Sequence, residues 1–126
     1  MLKNLITISF LILSLLGQNL LGQGLEKSLN SIMKEADIAT LANYLGETVT
    51  LSILDDEMQL DKLEAVKQIE TFFTDNVPSA FSSKHTGKSK EGNTFIIGEY
   101  KSKEITYRTY FVLRDDKIQE FCIEED

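Results

Sequence analysis

The chain has 126 residues, 42% hydrophobic and 26% charged, a balance that fits one globular domain and excludes a second core or a disordered chain. Its 20 acidic residues outnumber 13 basic ones, and no lysine or arginine cluster offsets them, which argues against nucleic acid and anionic membrane surfaces as partners. A single cysteine, Cys122, excludes an internal disulfide, so the core alone must hold the domain together.

The first residues read as a leader rather than as part of the fold. Lys3 precedes the uncharged run LITISFLILSLLG, and Gly22 and Gly24 stand where a cleavage site wants small residues. The apolar run is short for a membrane span. Residues 1–24 are therefore expected to be a secretory signal peptide, with an uncleaved anchor helix as the alternative. Residues 25–126 are expected to be the mature domain, exported to the periplasm or the outside of the cell, with no stable membrane insertion after cleavage. Cys122 lies at the far end of the chain, so the product is not expected to be a lipoprotein. Losing Lys3, the only charge in the leader, leaves a net charge of −8.

Leu25, Leu29, Ile32, Met33 and Ala36 recur at helical spacing and predict a first amphipathic helix. Asp37 is placed to cap a second, with Ile38, Leu41, Ala42 and Leu45 as its stripe and Gly46 as its stop. ETVTLSIL then alternates, Val49, Leu51 and Ile53 on one side, and DDEMQL predicts a turn with a short return strand. Asp61 and Glu64 resemble a capping box for a longer helix carrying Leu63, Val66, Ile69, Phe72 and Phe73 inward. Pro78 ends that helix. From Ser79 onward four strands are predicted, joined by turns at EGN, KSKE and RDDK. The order predicts an α+β domain, helices on one face of a curved antiparallel sheet.

The stretch SSKHTGKS contains Gly-Lys-Ser and the chain's one histidine, His85. A phosphate loop needs glycine five residues before Gly87, where Ser82 stands, and a helix after it, where KEGNTF makes a turn and a strand. That reading fails, and a hairpin reading replaces it. Two-residue turns at Glu91-Gly92, Ser102-Lys103 and Asp115-Asp116 pair Lys84 with Glu99 and Lys101 with Glu104. They also place His85, Gly98, Tyr107 and Glu124 in one row on the helix-covered face, together with Tyr100. Gly98 then forms a notch flanked by an imidazole and a phenol, with a carboxylate beyond, the beginnings of a pocket with acid–base groups. Local packing of His85 and Tyr107 across a glycine is the alternative. The opposite face collects Phe95, Ile97, Tyr110, Val112, Phe121 and Ile123 beside Arg108, Glu99 and Gln119. That patch is expected to be covered by homodimerisation, with Arg108 and Glu99 as an interface ion pair.

Other sites are weaker. The acidic turn from Asp55 to Asp61 has neither the glycine nor the glutamate of a calcium loop, and one histidine with one cysteine is too few for zinc. No metal or cofactor is expected, and Cys122 reads as a buried thiol.

HTGKSKEGNTFIIGEY, YRTYFVL and the closing IEE resemble the exported bacterial domain-of-unknown-function family 4783. The resemblance covers nearly all of the mature chain, including LDKLEAVKQIETFF. It implies the cone-shaped α+β fold of the nuclear transport factor 2-like superfamily, an exported context and a concave pocket between helices and sheet. It transfers no catalytic residues. Two classes of function remain. One is a non-catalytic envelope module that binds a small apolar ligand or a protein partner, with His85, Gly98, Tyr100 and Tyr107 lining the cone. The other is a lyase- or isomerase-type enzyme, with His85 as general acid or base, Tyr107 as hydrogen-bond donor and Glu124 orienting.

Overall fold

The computed structural model describes residues 24–126, so the expected leader falls, except for Gly24, outside the described residues. Residues 24–35 form helix α1, followed by α2 (Ile38–Tyr44), strands β1 (Leu45–Ile53) and β2 (Asp56–Asp61), and helix α3 (Lys62–Asp75). Four strands complete the chain: β3 (Ala80–Lys88), β4 (Thr94–Ser102), β5 (Ile105–Arg114) and β6 (Lys117–Glu125). All six strands share one sheet in the order β2-β1-β6-β5-β4-β3. The sheet is mixed rather than wholly antiparallel, because β1 lies parallel to β6, the second pair in from the β2 edge. That pairing joins the early hairpin to the late meander.

Both expected helix caps form. Asp37 accepts from the Thr40 amide at 3.2 Å and the Thr40 hydroxyl at 2.6 Å, and these bonds hold its carboxyl below the usual carboxylate range. Asp61 accepts from the Glu64 amide at 2.9 Å. Gly46 does not stop α2. The helix ends at Tyr44, Leu45 is already extended, and Gly46 lies inside β1. Leu63 is also not inward: it is 74% exposed, because the buried stripe of α3 runs Ala65, Ile69, Phe72, Phe73 and Leu63 falls off it.

The core lies between the helices and one sheet face. Leu29, Ile32 and Met33 of α1, Leu41 of α2 and the α3 stripe meet Val49, Leu51, Ile96, Phe111, Phe121 and Ile123. Helix α1 is also tied to the edge strand β3. Asn30 Oδ1 accepts from the Ser83 amide at 2.9 Å, and the Ser83 hydroxyl donates to Glu26 at 2.6 Å.

Two bulges and one loop set the faces of the sheet. The β3–β4 loop has five residues, Ser89 to Asn93, closed by the pair Lys88 and Thr94, with Gly92 at φ +86°. This odd length turns the loop-side half of β3, His85 to Lys88, over relative to a two-residue turn. A register shift between Ser83 and His85 turns the half away from the loop, Ala80 to Ser83, back. In the last hairpin, Asp115 and Asp116 both take positive φ, as a tight two-residue turn requires. A second shift follows, with Leu113 opposite Ile118 but Val112 opposite Glu120, so Gln119 is the extra residue. Every side chain beyond Gln119 therefore sits on the face opposite to that of an unbulged strand.

Candidate functional site

The row expected inside the cone does not form. His85 pairs with Ile97 on the outer face and is exposed, while Gly98 faces Ser83 and Thr109. Tyr107 pairs with Tyr100, because the β4–β5 turn closes on Ser102 and Ile105 and shifts that hairpin by two residues. The even shift keeps Tyr107 on the inner face but moves it away from Gly98. Glu124 pairs with Arg108 on the outer face. The expected charge pairs move as well: Glu99 faces Ser82 rather than Lys84, and Lys101 faces Thr106 rather than Glu104.

Gly98 is not an open notch. A Cβ there would lie 2.6 Å from Cζ of Phe81 and 2.9 Å from Thr109 Oγ1, so the space belongs to the Phe81 ring. Thr109 itself is fully buried, and its hydroxyl has no hydrogen-bond partner among the described residues.

The two inner tyrosines are held by one residue that sequence patterns did not single out. Asn76, which caps the C-terminus of α3, accepts the Tyr100 hydroxyl on its backbone oxygen and the Tyr107 hydroxyl on Oδ1, the latter at 3.0 Å. Phe72 packs edge-on to Tyr107 at 5.3 Å, and Phe73 stacks on Tyr100 at 6.2 Å. Burial first, and then the neighbouring Tyr107, pushes the Tyr100 phenol well above its usual range. Burial first, and then the charge of Glu125, raises Tyr107. Both phenols are thus neutral, satisfied and packed. A polar residue at a helix end just before a proline was the signal available in the sequence.

The outer face has a different character. One row runs Gly87, Phe95, Val112, Glu120, Thr50, Gln59 from edge to edge, and the next runs His85, Ile97, Tyr110, Cys122, Ser52, Glu57. Phe95 and Tyr110 stack at 6.4 Å, and the Phe95 ring covers Gly87, where a Cβ would come within 2.5 Å of it. Of the residues expected on this face, Phe95, Ile97, Arg108 and Tyr110 are there. Phe121 and Ile123 are not, since they are 1% and 0% exposed in the core, and the half-buried Cys122 takes the outer position. Arg108 stands opposite Glu99, yet its guanidinium turns to Asp126 at 3.0 Å and Glu124 at 3.8 Å. These pairs are exposed and contribute little to stability.

The profile of the DUF4783 family, a domain of unknown function, matches residues 27–125. The chain belongs to that family. The DUF4783 chain is similar to the crystal structure of a family member from Bacteroides uniformis at 24% identity and a TM-score of 0.71, covering 79% of this chain and 95% of that one. A member from Bacteroides ovatus matches at 24% identity and 0.70, covering 78% and 92%. A protein from Mesorhizobium loti, described as NTF2-like and of unknown function, shares 13% identity and a TM-score of 0.60 over 82% of this chain and 89% of that one. The domain thus has the nuclear transport factor 2-like α+β fold. No curated protein matches it.

Proposed function

We propose that this DUF4783 domain is a non-catalytic module of the cell envelope that works through the open face of its sheet, where it pairs with a second copy of itself. The observation that carries this reading is the stacked Phe95–Tyr110 pair, bordered by Ile97, Val112 and Cys122, on a face that no described helix covers. An apolar patch of this kind on a sheet is commonly an interface, and a two-fold dimer covers it with the same patch. Around Tyr110 the adjacent outer-face positions hold Ile97 and Cys122 across the ladder and Val112 and Arg108 along β5, while Glu99, Glu120 and Glu124 stand on the diagonals at the rim of the patch. The leader pattern of Lys3, the apolar run and Gly22/Gly24 supports export.

The outer face is preferred to the cone as the working surface for three reasons. His85 is exposed on the outer face, Gly98 is filled by Phe81, and the two tyrosine hydroxyls are committed to Asn76. Native mass spectrometry of the purified protein tests the proposal. A dimer that Tyr110→Glu converts to a folded monomer is the expected result. A wild-type protein that stays monomeric at all concentrations would overturn it.

A further inference from the structure

Adjoining the apolar patch and sharing Val112 with it, at the end of the sheet where the β3–β4 loop and the β5–β6 turn meet, the outer face sinks into a groove of about 470 Å³. It is open to solvent, and its lining residues are all exposed or half-buried. It is lined by the outer-face row Val112, Glu120, Thr50 and Gln59, with Thr48 beside them on β1. Glu91 and Asn93 reach it from the loop, and Arg114, Gln119 and Glu120 from the last hairpin.

The groove depends on the irregular parts of the sheet. Gln119 is the bulged residue of β6, and bulges next to sites re-aim side chains. Its amide lies over Gly46, where a Cβ would come within 3.2 Å of Nε2, so the glycine makes room for it. The pairing of β1 with β6 also shifts between Leu45 and Thr50, just below. On the other side, Arg114 Nε donates to Asn93 Oδ1 at 3.0 Å, which fixes both side chains and the loop that carries Glu91.

We propose that this groove binds a neutral polyhydroxylated ligand, a sugar unit of a glycan. The lining offers amides that donate and accept, carboxylates that accept, a guanidinium that donates and threonine hydroxyls that do both. Vicinal sugar hydroxyls, which also donate and accept, match this set, and Val112 is the one apolar residue of the lining. Two carboxylates against one guanidinium, on a chain of net charge −7, disfavour an anion. Among the described residues no three His, Cys, Asp or Glu side chains converge as they would for a metal. A peptide adding a strand needs a free sheet edge, whereas this groove lies mainly across β1, β5 and β6, whose ladders are paired on both sides, and takes only Gln59 from the edge strand β2.

The test is a nuclear magnetic resonance titration of the purified protein with N-acetylglucosamine, maltose and cellobiose, and with phosphate and calcium chloride in parallel. Saturable shifts centred on Thr50, Gln59, Asn93 and Gln119 with at least one sugar are expected. Gln59→Ala and Gln119→Ala should each weaken that sugar about tenfold while leaving the unfolding midpoint in place. Tyr110→Glu should leave it bound, which separates this site from self-association. Silence toward all three sugars, shifts that map elsewhere, or saturation of the groove by phosphate or calcium instead would each overturn the proposal.

Discussion

Phe81 occupies the space that a side chain on Gly98 would need, its Cζ only 2.6 Å from where a Cβ would stand. The relationship turns a glycine that reads as a binding notch into a packing contact between β3 and β4. Gly98→Ala should therefore destabilise the domain by about 1–3 kcal/mol, as overpacking of a filled core does. In a Phe81→Leu background the same change should cost clearly less, because the ring is gone. Chemical denaturation of the four proteins measures this coupling, and additive effects would show that the two residues are independent.

Thr109 sits against the same glycine with its hydroxyl buried and unpartnered among the described residues. Valine has the same shape without the oxygen. Thr109→Val is expected to hold or raise stability by about 1 kcal/mol. A loss of stability in urea unfolding would mean that the hydroxyl has a partner after all, such as a buried water.

Asn76 joins the end of α3 to both inner tyrosines, so Asn76→Ala removes an acceptor from a buried phenol and should cost about 1–3 kcal/mol. Tyr107→Phe should cost less, since it removes the donor together with the need for an acceptor. Thermal melts of the two variants set the order, and a reversed order would contradict the assignment.

Tyr100 and Tyr107 also predict an alkaline limit. Both phenols titrate above their unfolded value in the folded protein, so the folded state keeps protons that the unfolded chain releases. Their contribution to stability is complete below about pH 10, the ordinary phenol value, and is lost as the pH rises beyond it toward the folded values. Ultraviolet titration should show these two phenols ionising together with the loss of tertiary circular dichroism. Ionisation at the ordinary value, with the fold intact, would place them in solvent.

His85, Tyr110 and Phe121 should separate three roles. His85→Ala, on an exposed outer position, should change stability by no more than about 0.5 kcal/mol. Tyr110→Glu should fold and alter only assembly. Phe121→Glu puts a charge at a position only 1% exposed and should prevent folding rather than yield a monomer. A soluble, folded Phe121→Glu monomer would show that Phe121 faces outward and that the bulge at Gln119 is absent.

The parts of the fold that were legible in the sequence are those that local chemistry specifies. Asp37 and Asp61 bind the amides that open their helices, Pro78 follows the end of α3, and the alternation of β5 puts Tyr107, Phe111 and Leu113 inside wherever its partners stand. Family membership was legible as well, in the residues from His85 to Tyr100 and from Tyr107 to Leu113, whose chain order needs no register.

The candidate site was not legible, because a site is a set of neighbours across strands and neighbours depend on parity. One odd loop at Ser89–Asn93, an extra residue near Lys84 and another at Gln119 reassign His85, Phe121, Ile123 and Glu124 to the opposite face. Nothing local marks Gln119 as a bulge. It is set by the fit of Phe121 and Ile123 into a core built by residues far away, Leu51 and Phe111 among them. The parallel docking of β1 on β6 likewise joins segments some seventy residues apart. The chain carries its caps, turns and alternation locally. Packing between distant segments chooses the register, and with it which side chains meet.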